Sequence, residues 1–447
     1  MININLMKKT YLEVNDNIIK KIWSKNISSN LGIYIHNPFC PSQCKYCAYK
    51  GTNNNDSIKD YYNYYLPMQI EFYNDIIKQN NISSWFFGGG TPSMMSAYTF
   101  RNILSKLPKI NENSEKTFEL HPGQYDPDIF NVLKEYNFTH IIIGVQTFDQ
   151  QTLINQNRVP ASYEKIKNIV REIQNRGMNV WIDLIGNLDN KNDYNQYKKD
   201  IELAISLNPE EISPQLLYKK YTNDVVNKNV DIFYELLMNN ENWVLETDYL
   251  QKRNISKDSI RHILETTKAV RLFNKKNFIP KQQRKFIDSL LEENISYIEE
   301  TNSVLGIGSF QNPIHGTMSR VITKDQIYLY TETNNDNKKC NFFITHTPNY
   351  IAESKKILSD LEKIKKYFNS GFYYDNVNIK NIYNSFSIYG NKNEEGYAIG
   401  NKISSLFLDL QWVIIDDNID KKLLNKTIDT YVKYYRGKKS YIDLSKL

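Results

Sequence analysis

The chain has 447 residues, more than one ordinary domain holds, and 40% of them are hydrophobic, which supplies a core and excludes wholesale disorder. Its 56 Lys and Arg residues against 50 Asp and Glu give a net charge of +6, spread along the chain, which does not indicate nucleic-acid binding. No apolar run approaches a membrane span, and no secretory signal follows the N-terminal lysines. We therefore expect a cytoplasmic protein that binds neither nucleic acid nor membrane.

From residue 31 to 217, short apolar runs alternate with segments of helical apolar spacing, which predicts βα units around a parallel sheet. Six strands are predicted: Leu31–His36, Ser84–Phe87, Thr117–Leu120, Thr139–Val145, Asn179–Leu184 and Glu211–Leu217. Two of the helical faces are predicted from Tyr64, Met68, Phe72 and Ile76, and from Ile166, Ile169, Val170 and Ile173. The tyrosine cluster at 61–65 is interpreted as a solvated or half-buried face of little functional weight.

Beyond residue 218 the strand and helix alternation ends. Residues 222–300 are predicted to be mainly helical, 305–310 to be a returning strand or a turn, and 320–350 to be strand-like, with helices at 352–367 and 421–435. We divide the chain into an N-terminal extension (1–30), a barrel (31–217), a mainly helical extension (218–317) and a C-terminal α+β accessory or substrate domain (318–447).

Three of the four cysteines, Cys40, Cys44 and Cys47, lie on a short segment directly after the first predicted strand. Three thiolates on such a loop can each bind one iron of a 4Fe-4S cubane and leave the fourth iron open to a non-protein ligand. Two alternatives stay open: a structural zinc site with a fourth ligand such as His36, and a redox-active pair of Cys44 and Cys47. The isolated Cys340 is predicted to be a free thiol.

Unusual residues also follow the other predicted strands. Gly88–Gly90 precede Thr91 after the second strand, in a turn where a ligand can lie against bare backbone. The next three strands end in Glu119, Gln146 and Asp183, and a polar residue in an apolar strand is costly unless it has a partner. Function collects at the C-terminal ends of strands in a parallel barrel, so one site with the cysteine loop is predicted. Satisfied core polar groups are the alternative for each residue.

These motifs carry a family resemblance. The CxxxCxxC spacing, with Tyr46 before the last cysteine and GGGTP after it, resembles the radical S-adenosylmethionine superfamily. The segments YIHNPFCPSQCKYC, FFGGGTPS, FELHP, GVQTFDQQTLINQNR and DLIGNL resemble its oxygen-independent coproporphyrinogen III oxidase-like branch, in order and spacing, over residues 31–217. The resemblance implies an α/β fold, a partial (β/α)6 TIM-like barrel, followed by a mixed α+β C-terminal region.

The resemblance also implies a chemistry. S-adenosylmethionine would bind the open iron, and an electron from the cluster would cleave it to methionine and a 5′-deoxyadenosyl radical that abstracts hydrogen. Cys40, Cys44 and Cys47 would hold the 4Fe-4S cluster, and the cofactor pocket would comprise Tyr34, Gly89, Gly90, Thr91, Glu119, Gln146, Arg158 and Asp183. Arg158 suits a bidentate pair with a carboxylate. The implied partners are a small-molecule substrate, tetrapyrrole or aromatic, and a low-potential electron donor such as flavodoxin or ferredoxin.

Three departures from the branch bear on the reaction. Asn37 replaces an apolar residue, LIGNLD replaces a Gly-Leu-Pro ending after Asp183, and Tyr49 stands where coproporphyrinogen oxidases have a further cysteine. We therefore expect an enzyme of C-methyltransferase type, with methyl or methylene transfer from a second S-adenosylmethionine to an sp2 carbon. Oxidative decarboxylation of a porphyrinogen-like carboxylate is the oxidoreductase alternative.

Two further alternatives stay open. A subgroup of the branch delivers haem as a chaperone and carries a His-Asn-x-x-Tyr-Trp segment, of which this chain has only the dipeptide His36-Asn37. His121, two residues after Glu119, is either a structural hydrogen-bonding group or a substrate contact.

Overall fold

The computed structural model describes residues 12–27, 31–47, 58, 60–108, 114–188, 194–217, 223–245, 254–266, 270–277, 303–308, 317–322, 326–334 and 339–344. The chain forms two compact units, one of Met1–Ile27, Arg320–Tyr330 and Asn341–Leu447, and one of Ser28–Ser319 and Thr331–Cys340. The helices predicted at 352–367 and 421–435 lie outside the described residues. Within the described part, no helix has the length and apolar character needed to cross a membrane.

The described strands are β1 (Leu12–Val14), β2 (Leu31–Asn37), β3 (Ile82–Gly89), β4 (Glu115–Leu120), β5 (His140–Gln146), β6 (Asn179–Gly186), β7 (Glu211–Leu216), β8 (Trp243–Leu245), β9 (Leu272–Asn274), β10 (Ser303–Ile307), β11 (Thr317–Ile322), β12 (Gln326–Asn334) and β13 (Lys339–Ile344). The described helices are α1 (Asp16–Ser24), α2 (Leu66–Gln79), α3 (Ala97–Leu104), α4 (Ile129–Glu135), α5 (Gln150–Asn155), α6 (Tyr163–Asn175), α7 (Tyr194–Ser206), α8 (Asn223–Asn239) and α9 (Lys257–Thr266). In the first unit, β1 pairs antiparallel with the end of β13, with Leu12 opposite Ile344.

The second unit holds the predicted barrel. Its strands lie in the order β10-β2-β3-β4-β5-β6-β7-β9-β8. The pairs from β10 to β7 are parallel, whereas β9 pairs antiparallel with both β7 and β8. The six predicted strands and the α/β fold class are confirmed. Residues 303–307 return as β10 beside β2, with Leu305 opposite Ile33, so the returning-strand alternative is the correct one.

Helix α6 shows how local sequence fixes an element of this barrel. The Ser162 side chain accepts a hydrogen bond from the Lys165 N–H, which caps the helix, and Gly177 follows its end with a φ of 76°. The helix buries its predicted apolar face, Ile166, Ile169, Val170 and Ile173. This burial fixes α6 against the sheet, and the prediction of its face is confirmed.

The predicted face of α2 is wrong. The helix buries Leu66, Gln69, Ile70, Tyr73, Ile76 and Ile77, and of the predicted set only Ile76 is among them. A π-helical turn, Tyr61–Tyr65, precedes the helix, and the Leu66 N–H donates to the carbonyl of Tyr61, five residues back. Met68 and Phe72 lie half-buried at the margin of the buried face, because residues four apart turn about 40° per step around a helix of 3.6 residues per turn. Tyr61 and Tyr62 are buried and Tyr64 is exposed, which corrects the interpretation of the tyrosine cluster.

The barrel interior below the predicted site is apolar. Phe86, Ile142, Trp181 and Val304 form one buried cluster, and Tyr34 packs against it. The four residues of this cluster come from β3, β5, β6 and β10, which are neighbours in the parallel part of the sheet or lie close to it.

Candidate active site

The three clustered cysteines lie on the loop that follows β2, where none of them forms a disulfide and each side chain is partly exposed. Two residues directly after α5 hydrogen-bond to this loop. The carbonyl of Gln156 accepts a hydrogen bond from the Lys45 N–H at 3.0 Å, and the carbonyl of Asn157 accepts one from the Ser42 hydroxyl at 2.7 Å. The loop is thereby tied to a second βα unit of the barrel.

The glycine turn after β3 packs directly on the cysteine loop. The Gly90 N–H donates to the carbonyl of Asn37 at 2.6 Å, and a Cβ on Gly90 would lie 2.9 Å from Cys40 Sγ. Gly89 has a φ of 113°, in the region that favours glycine. The Thr91 hydroxyl lies 3.7 Å from Cys40 Sγ. Only a side-chain-free turn permits this approach, as the sequence predicted.

Two buried carboxyl groups on β4 and β6, Glu119 and Asp183, are close enough for the charge of Asp183 to affect Glu119. Glu119 at the end of β4 accepts a hydrogen bond from the Gly89 N–H at 3.1 Å. Burial raises its pKa to about 8, the charge of Asp183 adds to that rise, and the Gly89 hydrogen bond opposes it. Burial also raises the pKa of Asp183 to about 7, although Arg271 and Arg158 act in the opposite direction. At neutral pH, therefore, Glu119 is the carboxyl that keeps its proton.

This carboxyl group gives a pH dependence of stability. Since the pKa of Glu119 is about 8 in the folded protein and about 4.5 unfolded, the folded state binds more protons in between and loses stability as pH rises through that window. We expect the urea midpoint of the metal-free protein to fall between about pH 6.5 and pH 8.5 more steeply than that of Glu119→Gln. Parallel midpoint curves for the two proteins would contradict this assignment.

Gln146 and Arg158 form the next part of the rim. Gln146 ends β5 with a φ of 67°, beside a register shift between Gly144 and Gln146. The guanidinium of Arg158 donates through Nη2 to the carbonyl of Gly144, and its Nη1 lies 3.9 Å from Cys44 Sγ. Arg158 therefore joins the strand end to the cysteine loop.

Tyr34 and the two histidines lie close to these groups. The Tyr34 hydroxyl is 2.8 Å from Nδ1 of His36, whose pKa is lowered to about 3 by burial. The Gly123 N–H donates to Nδ1 of His121 at 3.0 Å, and burial, with a smaller effect of Arg158, lowers the pKa of His121 to about 3. Both imidazoles are therefore neutral. The hydrogen bond supports the structural interpretation of His121, and its contact with substrate stays a prediction.

Arg271 is a charged residue at the site that sequence reasoning missed. It directly precedes β9, its Nε lies 4.0 Å from Oε1 of the buried Glu211, and its charge favours the ionised form of Asp183. No motif surrounds it, and a strand of three residues leaves no periodic pattern in the sequence. Only the pairing of β9 with β7 brings it here.

The cysteine loop fits the predicted cluster. Burial raises the pKa of Cys40 to about 11, and the hydrogen bond from Thr91 opposes that rise, so metal binding must displace a proton from this thiol. In the part of the chain that the structure describes, no three His, Cys, Asp or Glu side chains converge on a single metal position. A cubane does not need such convergence, because each thiolate binds a different iron.

The comparison with protein families agrees with this site. Residues 34–197 match the family model of the Radical SAM superfamily, and this range contains every predicted metal and cofactor residue. The segment is therefore a radical SAM domain, as the motifs predicted. The match also confirms the predicted cofactors, a 4Fe-4S cluster and S-adenosylmethionine, at the level of the superfamily.

The similar proteins point to the predicted branch. The heme chaperone HemW of Buchnera aphidicola is 28% identical over 231 residues, 49% of this chain and 60% of that protein. The oxygen-independent coproporphyrinogen III oxidase of Pseudomonas aeruginosa is 28% identical over 199 residues, 42% of this chain and 43% of that protein. This chain thus spans about half the length of the curated relatives it matches. The structure of coproporphyrinogen III oxidase (HemN) from Escherichia coli aligns over 94% of both chains with 14% identity and a TM-score of 0.56, a likeness of fold.

Proposed function

We propose that this chain is an enzyme that cleaves S-adenosylmethionine reductively and uses the resulting radical on a small organic molecule. The observation that supports the proposal is the contact of the glycine turn and Arg158 with the cysteine loop: Thr91 lies 3.7 Å from Cys40 Sγ, and Arg158 lies 3.9 Å from Cys44 Sγ. A bound 4Fe-4S cluster would supply the electron that splits S-adenosylmethionine into methionine and a 5′-deoxyadenosyl radical.

The residues of the rim have separate roles in this proposal. Cys40, Cys44 and Cys47 hold the cluster. Arg158 offers a planar pair of donors to the carboxylate of S-adenosylmethionine. Gly89 and Gly90 have no side chains, so the methionine end of S-adenosylmethionine can contact their backbone.

The remaining pocket residues differ in their hydrogen-bonding capacity. Glu119, protonated at neutral pH, can donate a hydrogen bond, whereas Asp183 is favoured as an acceptor by Arg271 and Arg158. Tyr34 and Gln146 complete the wall of the pocket. Tyr34 packs against the buried apolar cluster of Phe86, Ile142, Trp181 and Val304.

For the reaction on the substrate we propose methyl or methylene transfer from a second S-adenosylmethionine to an sp2 carbon. One support is the LIGNLD segment after Asp183, which departs from the branch: β6 continues to Gly186, Asn187 turns the chain with a φ of 62°, and the Gln156 side chain donates to the carbonyl of Leu188 at 2.6 Å. The other support is the departure at Tyr49. A tetrapyrrole or aromatic substrate, an electron donor such as flavodoxin or ferredoxin, and a cytoplasmic location belong to the same proposal.

Two other functions have specific support. Relatives named heme chaperone HemW, such as that of Haemophilus influenzae with 29% identity over 192 residues, favour haem delivery. Relatives named oxygen-independent coproporphyrinogen III oxidase, together with the fold, favour oxidative decarboxylation. The alternatives differ in their products, so one reaction separates them.

The deciding experiment incubates reconstituted, dithionite-reduced protein anaerobically with S-adenosylmethionine carrying a deuterated methyl group and a panel of tetrapyrroles. Methyl transfer predicts both 5′-deoxyadenosine and S-adenosylhomocysteine, with deuterium in the product by mass spectrometry. Carbon dioxide release without S-adenosylhomocysteine would establish decarboxylation. Stoichiometric haem binding by visible spectroscopy, without any 5′-deoxyadenosine, would establish the chaperone and overturn the enzyme proposal.

A further inference from the structure

The buried tyrosines of the π-helical turn contact the segment that leads into the cysteine loop. The Tyr61 hydroxyl donates to the carbonyl of His36 at 2.6 Å, and the Tyr62 hydroxyl donates to Oδ1 of Asn37. Phe39 lies against both tyrosine rings, with centroids 5.3 and 5.6 Å away in edge-on geometry. The residue directly before Cys40 is thus held by two aromatic contacts.

Asn37, the partner of Tyr62, also hydrogen-bonds to Phe39 and to Gly90. Its Nδ2 donates to the carbonyl of Phe39 at 2.9 Å, and its own carbonyl accepts the hydrogen bond from Gly90 at 2.6 Å. The Asn37 side chain is 3% exposed, so its amide orientation depends on protein partners rather than on water. The Tyr62 hydroxyl fixes that orientation, because it pairs with the amide oxygen and leaves the nitrogen for Phe39.

Tyr62 and Asn37 form a coupled pair of polar groups. An apolar residue at position 37 could neither accept a hydrogen bond from Tyr62 nor donate one to Phe39. In this chain both partners of the contact are polar and buried, and a buried polar group that loses its partner costs more than the bond itself contributes. A tyrosine and an asparagine here therefore depend on one another.

We propose that Tyr62 and Asn37 are a positioning pair that holds the loop of Cys40 in the conformation that accepts the cluster. Tyr62 acts through Asn37, and Asn37 acts on the backbone of Phe39, next to the first ligand. The inference rests on the proposed cluster site.

The test measures cluster retention in the full chain after anaerobic reconstitution. Tyr62→Phe removes one hydroxyl and keeps the ring, and Tyr64→Phe is the matched control, since the same change falls on a ring that is 54% exposed. We expect Tyr62→Phe to lose iron to a chelator about five- to tenfold faster than wild type, and Tyr64→Phe to match wild type. The electron paramagnetic resonance spectrum of the reduced cluster should shift in Tyr62→Phe and not in Tyr64→Phe. Iron loss is measured at temperatures where the metal-free variant is fully folded.

A double-mutant cycle with Asn37→Ile tests whether Tyr62 acts through Asn37. In the Asn37→Ile background, Tyr62→Phe should cause no further change in the rate of iron loss. Equal effects of Tyr62→Phe in both backgrounds, or a Tyr62→Phe protein that retains iron like wild type, would overturn the pair. Failure of the wild-type chain to take up iron would overturn the proposed function instead, and this inference with it.

Discussion

Replacement of any one of Cys40, Cys44 or Cys47 by alanine should reduce the iron content of anaerobically reconstituted protein from about four atoms per chain to near zero. The predicted cluster has three thiolate ligands and one iron without a protein ligand, so the loss of one thiolate leaves it held by two. In the part of the loop that the structure describes, the Tyr46 hydroxyl is a poor replacement for a thiolate, because burial raises its pKa above the usual value. Iron and sulfide analysis, with the visible absorption spectrum, measures the loss.

The matched control for this prediction is Cys340→Ala. Cys340 lies in β13, far along the chain from the loop, and its replacement should leave the iron content unchanged. Full iron content in any one of the three loop variants would show that its cysteine is not a ligand. Stoichiometric zinc after reconstitution with both metals would establish the structural zinc alternative.

The barrel was predictable because its signals are local. Strands β2 to β7 are short apolar runs separated by helices such as α6, whose buried face follows an undisturbed period of 3.6 residues. The face of α2 was predicted wrongly because the predicted residues are all four apart, a row that drifts around the helix, whereas the buried residues follow spacings of three and four. Strand β10 was ambiguous because it is short and pairs with β2, a partner some 270 residues earlier in the chain.

The residues of the site also divide into those that local motifs predicted and those that only the fold brings together. The predicted residues from Tyr34 to Asp183 lie on β2 to β6 and on the loops that follow these strands, because their motifs occur in the order of the strands, although their roles toward the cofactors stay predictions. Arg271 and Tyr62 were missed because their importance comes from contacts across the fold: with Asp183 for the first, with Asn37 for the second. A tyrosine-rich composition hid Tyr62 further, since one buried ring among 33 tyrosines has no distinct signal.

The second large effect is expected at Arg158. Arg158→Ala should weaken the binding of S-adenosylmethionine to the cluster-loaded protein by about 2 to 4 kcal/mol, because the carboxylate of the ligand would be left without its charged partner. Glu119→Ala should cause a loss of similar size, by removing a buried hydrogen-bonding group. Isothermal titration of samples matched in iron content gives the two affinities.

The controls for Arg158 separate charge from geometry. Arg158→Lys keeps the charge but loses the planar pair of donors, so its affinity should fall between those of the wild type and the alanine variant. Arg101→Ala removes an exposed arginine, whose ion pair with Glu135 at 2.7 Å contributes little at the surface, and it should bind like wild type.

Because Arg158 also lies 3.9 Å from Cys44 Sγ, a lower iron content in Arg158→Ala would report on the loop rather than on the ligand, and this is why the samples are matched. Wild-type affinity in both Arg158→Ala and Glu119→Ala would return these two residues to a structural role in the barrel and leave the cysteines as the only part of the site with a chemical function.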